Sequence, residues 1–306
     1  MLTAFLSRAD VSRHLQALHL LRELREALSL PSSADANPPS AGLDHSTDGV
    51  VTRVRRSVWP TVPAFSVAVR TELPGAGGAR SVLQLHDAKT GKVLAVMDAG
   101  HLSSLRASLV GALGADVLAR EDARHVAVLG SGLAASGALK AIRLVRSIQR
   151  VWLFEDDPAA NTELALRLQS TLATSVRGTN SPEEAVENAD LIILTGNVSL
   201  PTDNLRPGAH VTVLNADAAT TSPLPPALLR RAKRFTDSTS PSLEWGVPFT
   251  TLLGDVLGGR QPGRVAPEDL TVFASVGPAH LDLLAAWHVF EGARGDEALT
   301  RLDLES

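Results

Sequence analysis

The segment HVAVLGSGLAASGALKAI, residues 125–142, constrains this chain more than any other. The apolar run Val126 to Leu129 is followed at once by Gly130-Ser131-Gly132-Leu133-Ala134-Ala135, and then by small, helix-prone residues. Strand, glycine turn and helix in this order are the phosphate grip of a dinucleotide-binding βαβ unit. Gly130 would permit the tight turn. Gly132 would let the backbone approach a pyrophosphate, and small Ala135 would let the helix pack on the strand. The helix N-terminus then presents N–H groups and a partial positive charge to the phosphates.

A glycine triplet alone is a weak signal, so its surroundings matter. The next apolar run, Val151 to Phe154, ends in Glu155-Asp156-Asp157. Glu155 lies 25 residues after Gly130, where a carboxylate is expected to meet the adenosine ribose. Acids at Glu155 and Asp156, with no basic residue directly after them, favour NAD over NADP because a 2′-phosphate would be repelled. The competing reading is an ordinary β-turn-α with solvated acids.

Composition narrows the remaining classes. The 306 residues are 44% hydrophobic and 20% charged, enough for one large or two ordinary domains. A net charge of −4 gives no general attraction to nucleic acid. The short basic clusters are Arg53-Val54-Arg55-Arg56 and Arg230-Arg231-Ala232-Lys233-Arg234, and the second is expected to coat a solvated helix end. Without cysteine there is no disulfide, thiol nucleophile or thiolate metal site. The 9 histidines show no metal-ligand spacing, and no tyrosine is present to act as an acid. No apolar run is long enough to span a membrane, and MLTAFLSRAD lacks a signal-peptide layout. A soluble cytoplasmic protein is expected, with no metal, membrane or nucleic-acid partner.

Along the chain, residues 8–28 place Val11, Leu15, Leu18, Leu21, Leu24 and Leu28 at helical spacing and predict one helix. Residues 29–48 are polar and rich in Pro and Ser, which predicts a loop. Residues 50–58, 65–72, 81–86 and 93–98 predict strands of one sheet, with turns at Gly75–Gly78 and Lys89–Lys92. A helix is expected over 101–119. From residue 125 apolar runs at 126–129, 151–154, 191–194 and 211–214 alternate with helical segments, which predicts a parallel sheet. Ser181-Pro182-Glu183-Glu184 opens one of those helices with an N-cap serine, a proline at N1 and a glutamate three residues on. Thr271 to Gly277 and a helix over 279–291 break the alternation and predict a closing segment that returns to the N-terminal domain. The expected fold class is therefore α/β: a Rossmann-type doubly wound parallel sheet plus an α+β domain. The expected divisions are 1–118, 119–272 and 273–306.

Three blocks in order, VLAVMDAGHLSSLRASLVGALGADVLA (93–119), the GSG turn, and TVFASVGPAHLDLLAA (271–286), resemble the ornithine cyclodeaminase/mu-crystallin family. The resemblance implies NAD(H) or NADP(H) on the Rossmann domain. It implies a substrate and dimerisation domain built from the N-terminal segment and C-terminal helix, and a homodimer. Family activities are cyclisation of ornithine to proline with ammonia loss, reduction of cyclic ketimines, and amino-acid dehydrogenation, each passing through an imine of a small carboxylate. By the same resemblance, Arg106 matches an arginine that holds the substrate carboxylate and Arg55 a second arginine in that pocket. Asp217 matches an aspartate that handles protons near the nicotinamide. Ser275 and Gly277 match a Ser-x-Gly beside the nicotinamide, and Asp282 matches an aspartate on the last helix. Guanidinium suits a planar carboxylate because it donates two parallel hydrogen bonds.

The chain also departs from the family pattern. Ala68 stands where the family has a catalytic lysine. Arg70, two residues on, shares its strand face and could supply positive charge, but a guanidinium keeps its proton and cannot serve as a base. The segment between Arg55 and that strand is shorter than usual. Ala134 replaces a family glutamine, and Asn215 a glycine before Asp217. Loss of the lysine removes a general acid/base worth about 10² to 10⁴ in rate, which disfavours ornithine cyclisation itself. The expectation is a divergent imine or imino-acid reductase or amino-acid dehydrogenase using Asp217, Arg106 and Arg70. A non-catalytic nucleotide-binding member is the alternative.

Overall fold

The computed structural model describes residues 2–31, 41–73, 79–130, 132–196, 198–214, 222–238 and 245–304. They form two compact units, one drawn from residues 1–24, 31–106 and 278–306, the other from 25–30 and 107–277. β1 (Thr3–Leu6) leads into α1 (Arg8–His14) and α2 (Ala17–Ser29). The single helix expected over 8–28 is thus two. α1 starts in a capping box, with Asp10 N–H donating to Ser7 Oγ and Ser7 N–H donating to the Asp10 carboxylate. It ends where Leu15 turns extended. The Gln16 N–H released there donates to His288 Nε2 at 3.2 Å, a tertiary bond that no local periodicity reveals.

The loop expected over 29–48 gives way to a strand in its last part, and residues 32–40 lie outside the described ones. β2 (Ala41–Thr47) pairs antiparallel with β3 (Val50–Val58) from Ala41↔Arg56 to Thr47↔Val50. The two-residue connection is Asp48-Gly49, both with positive φ (52° and 78°), the conformation a type I′ hairpin turn demands. The next strands, β4 (Ala64–Glu72), β5 (Ala79–Asp87) and β6 (Val93–Asp98), lie where the alternation places them. Asp87 closes the Lys89–Lys92 hairpin, its N–H donating to Lys92 O at 2.9 Å. The Gly75–Gly78 turn falls outside the described residues. α3 (Ala99–Leu118) follows.

The second unit alternates strand and helix: β7 (His125–Leu129), α4 (Gly132–Ile142), β8 (Arg150–Phe154), α5 (Pro158–Leu172), β9 (Ser175–Gly178), α6 (Pro182–Glu187), β10 (Leu191–Leu194) and β11 (His210–Val213). Then come α7 (Pro226–Arg231), β12 (Lys233–Thr236), β13 (Thr251–Leu252), α8 (Leu253–Leu257) and β14 (Thr271–Ala274). The sheet order is β13-β12-β14-β11-β10-β7-β8-β9, and every pair is parallel. This is a doubly wound sheet whose strand order reverses between β7 and β10, the place where such sheets bind ligands outside their carboxyl ends. β14 sits between β11 and β12, so residues 271–274 complete the parallel sheet instead of opening the closing segment. α3 lies close on this sheet: a Cβ at Gly114 would come 2.5 Å from Phe273 Cδ1. Ser181 Oγ caps α6 by accepting the Glu184 N–H, while the Glu184 carboxylate turns back to the Asn180 N–H. The second basic cluster is not one solvated helix end. α7 stops at Arg231, and within β12 Lys233 binds Asp269 at 2.6 Å while Arg234 donates to Pro248 O.

α9 (Ala279–Gly292) and β15 (Thr300–Leu302) belong to the first unit, whose sheet runs β15-β1-β6-β5-β4-β3-β2. α9 packs on β3, β4 and β5. It covers the face bearing Ser57, Ser66, Leu83 and Leu85, all buried. Among the described residues no helix is long and apolar enough to cross a membrane.

A buried polar chain closes the N-terminal edge of the parallel sheet. Thr271 Oγ1 donates to Leu118 O and accepts from Arg264, so its remaining lone pair takes the Nδ1–H of His210 at 2.8 Å. His210 Nε2 is left to accept from Thr212 Oγ1 at 3.0 Å, which fixes a neutral imidazole. Burial, then the charges of Arg264 and Arg146, push His210 down to about 3. A histidine with a depressed folded pKa stabilises fully above its ordinary pKa and loses that contribution as pH falls, because the unfolded chain takes the proton first. His210 should therefore cost about 2 kcal/mol of stability between pH 7 and pH 5. Urea unfolding at the two pH values should show the loss in the native protein and a shallower one in His210→Asn; equal slopes would show that His210 is not the cause.

Candidate functional site

The glycine turn sits at the carboxyl end of β7. Gly130 has φ 131°, and its N–H donates to Phe154 O at 2.9 Å. A Cβ here would lie 2.3 Å from Thr195 Oγ1 and 3.0 Å from Gly196 N, so only glycine lets the turn pass the end of β10. Gly132, with φ 63°, opens α4, and a Cβ there would meet nothing within 4 Å. The protein crowds the first glycine and leaves space over the second, the arrangement a pyrophosphate approach needs. Within α4, Ala135 is fully buried, while Leu133 is exposed and Ala134 half-buried in the first turn. Ser131 lies outside the described residues. Glu155 is half-buried directly after β8, Asp156 is exposed, and Asp157 N-caps α5 by accepting the Ala159 N–H at 2.9 Å. Asp157 is therefore committed to the helix cap, while Glu155 and Asp156 directly follow the carboxyl end of β8.

Sequence reasoning missed two residues at this edge. The Thr195 hydroxyl is buried beside the Gly130 turn without a hydrogen-bond partner among the described residues. Asp237, 6% exposed, follows β12 and gathers the turn after β14. Its carboxylate accepts from Ser275 Oγ at 2.7 Å, Val276 N–H at 2.8 Å and Gly277 N–H at 3.2 Å. Ser275 and Gly277 are thus held together in one anchored turn, with Gly277 at φ 78°. The partners are 38 residues apart, which hides the link from any local motif.

The first unit carries the arginines. Arg106, on α3, is 4% exposed, and its Nε donates to Asp282 Oδ1 on α9 at 2.9 Å. A buried guanidinium so paired is oriented by the carboxylate behind it. Two residues before Asp282, His280 is equally buried and stacks on Trp59, with ring centroids 4.7 Å apart and planes 12° from parallel. Burial, then the charge of Arg106, push His280 down to about 4.

Arg55 stands opposite Ala68 in the β3–β4 ladder, and Arg53 opposite Arg70, so all four share the α9-covered face. Arg55 binds Asp44, and its hydrogen bond holds that carboxyl below the usual range. Arg70 donates to Glu72 at 3.0 Å, beside Arg53 at 2.8 Å, and its side chain is 44% exposed. Arg106 is thus a buried group, whereas Arg55 and Arg70 sit in a more exposed ion-pair ladder. Asn215 and Asp217 lie outside the described residues.

The sequence pattern of the ornithine cyclodeaminase/mu-crystallin family matches residues 2–297. Mouse ketimine reductase mu-crystallin is 28% identical over 311 residues, covering 94% of this chain and 96% of the relative. The structure of Thermococcus litoralis Delta(1)-pyrroline-2-carboxylate reductase with NADH and L-proline superposes with a TM-score of 0.86 at 21% identity, covering 97% and 99% of the two chains. An archaeal alanine dehydrogenase dimer with bound NAD gives 0.85 at 22% identity, covering 99% and 100%. With a match over nearly its whole length, a doubly wound parallel sheet carrying the glycine turn, and Arg106 paired to Asp282, the chain belongs to the ornithine cyclodeaminase/mu-crystallin family.

Proposed function

We propose that the chain is an NAD(H)-dependent oxidoreductase that reduces the C=N bond of a small imino acid, or oxidises the matching amino acid. The observation that carries this reading is the buried Arg106 held by Asp282. A cation kept dry in this way suits one planar anion, and the α-carboxylate is the group common to all such substrates. The named activities of the mouse, Thermococcus and archaeal relatives support it.

Gly130, Ser131, Gly132, Leu133 and Ala134 would hold the pyrophosphate, Glu155 or Asp156 the ribose, and Ser275 and Gly277 the nicotinamide. When bound, the nicotinamide supplies or takes the hydride at the α-carbon. Arg106 binds the carboxylate and Asp282 fixes its plane, while Arg55 and Arg70 would add positive potential only on releasing Asp44 and Glu72. Asp217 delivers a proton to the imine nitrogen during reduction and removes it in the reverse direction. With Ala68 in place of lysine, no flexible amine is on hand there to help expel ammonia, so reduction of a preformed cyclic imine is favoured over ornithine deamination.

Like the archaeal dimer, the protein is proposed to pair with a second copy, in the cytoplasm. Leu43, Val54, Val69 and Val82 are opposed in register across four strands and so share the sheet face opposite α9. Leu43, Val69 and Val82 are 65%, 36% and 46% exposed, an apolar row suited to burial against a partner.

The test is NADH oxidation with 1-pyrroline-2-carboxylate and 1-piperideine-2-carboxylate, set beside ammonia release from ornithine and calorimetric titration with NADH and NADPH. Imine reduction and tighter NADH binding are expected. Efficient ornithine turnover would overturn the preference, and tighter NADPH binding the ribose assignment. Nucleotide binding without turnover across an imino-acid panel would favour the non-catalytic alternative.

A further inference from the structure

His280 has no role in the mechanism above, yet its setting is that of a recognition group. It is 4% exposed at the start of α9, two residues before the aspartate that holds Arg106. Its ring lies flat on Trp59, which fixes the plane in which its nitrogens point. Neither ring nitrogen has a hydrogen-bond partner among the described residues. Neither nitrogen is among the sealed, unpaired polar atoms of the protein, so they lie at the small part of the ring that stays open, where a donor and an acceptor can meet an external partner.

The protonation state selects between two roles for that ring. With its pKa pushed down to about 4 by burial and by Arg106, His280 is neutral at neutral pH. Only about one molecule in a thousand would carry an imidazolium at pH 7, so a general-acid role in place of the family lysine is poorly supplied. A neutral imidazole still offers one donor and one acceptor.

Resting on the carboxylate-binding reading of Arg106, we propose that His280 is a specificity-determining residue that hydrogen-bonds a second polar group, a hydroxyl or carboxylate oxygen, on the side chain of the imino- or amino-acid substrate. L-Proline, whose ring beyond the amine is hydrocarbon, would cover these nitrogens without pairing them. A site built to bond a polar group discriminates strongly against the analogue that lacks it.

The experiment is calorimetric titration of the protein, saturated with NADH, with L-proline, 4-hydroxy-L-proline and L-aspartate. Both components of each pair are already reduced, so nothing turns over and binding is read alone. Either hydroxyproline or aspartate should bind at least about tenfold more tightly than L-proline. Which of the two is preferred identifies hydroxyl or carboxylate as the group. His280→Phe, which keeps a flat ring against Trp59 but has no nitrogens, should bring the ratio to about one. His280→Gln, which keeps a donor and an acceptor, should retain part of it and serves as the second variant if the phenylalanine protein does not fold. L-Proline binding as tightly as both polar ligands, or a preference that survives in His280→Phe, would overturn the proposal and leave the Arg106 reading intact. Binding of none of the three would overturn both.

Discussion

Replacing Arg106 by leucine should lower kcat/KM for any imino-acid substrate by about 30- to 4,000-fold, the equivalent of about 2–5 kcal/mol for a charge-assisted hydrogen-bonded pair broken in a dry site. Leucine resembles the arginine stem in bulk, so the main loss is the guanidinium. Asp282 is left without its partner, and its side chain, 18% exposed, can recruit water only in part. Some loss of thermal stability should therefore accompany the kinetic loss, and a second variant separates the two. Asp282→Asn keeps a neutral acceptor for Arg106 Nε, so it should disturb guanidinium orientation with a smaller effect on kcat/KM. If carboxylate binding is equally strong in ground and transition states, the Arg106→Leu loss appears in KM with kcat little changed. Steady-state kinetics with a preformed cyclic imine, beside thermal melts of both variants, provides the check. Unchanged KM and kcat with a lowered Tm would show that Arg106 serves the fold alone.

How much of the fold and site is legible in the sequence follows from where the information lies along the chain. The β7–turn–α4 grip is readable because its chemistry is local: an apolar run, two glycines and a small residue, all within one βα unit. The β2–β3 hairpin is equally local, but the polarity around it hides the Asp48-Gly49 signal, which demands positive φ at both positions. Arg106 is reached through family resemblance, since its partner Asp282 is 176 residues away and no spacing rule connects them. Asp237 and His280 lack even that help. Each is defined by groups that only the folded sheet or helix brings to it, the Ser275–Gly277 turn in one case and Trp59 in the other. The place of β14 is hidden for a related reason. A four-residue apolar strand reads the same whether it inserts between β11 and β12 or starts a new segment, and only the register with both neighbours decides.

Substituting Gly132 by valine should reduce NADH affinity by at least about 100-fold, close to 3 kcal/mol, while the unliganded protein stays folded. The contrast with Gly130 makes this prediction specific. A Cβ at Gly130 runs into Thr195 Oγ1 and the Gly196 backbone, so Gly130→Ala should lower Tm by disrupting the sheet edge before any ligand is added. A Cβ at Gly132 meets no protein atom within 4 Å, so what it obstructs there is space outside the protein. The residue does sit at φ 63°, and a side chain in the left-handed region costs about 1–2 kcal/mol whatever the space around it. Gly132→Ala carries most of that backbone cost without the branched bulk. If valine abolishes binding while alanine only weakens it, bulk against the pyrophosphate is the cause. If both variants lose affinity equally, the cause is distortion of the turn. Calorimetric titration with NADH, together with thermal melts of all three variants, distinguishes these outcomes. NADH binding by Gly132→Val at native affinity would mean that the nucleotide does not approach the chain here.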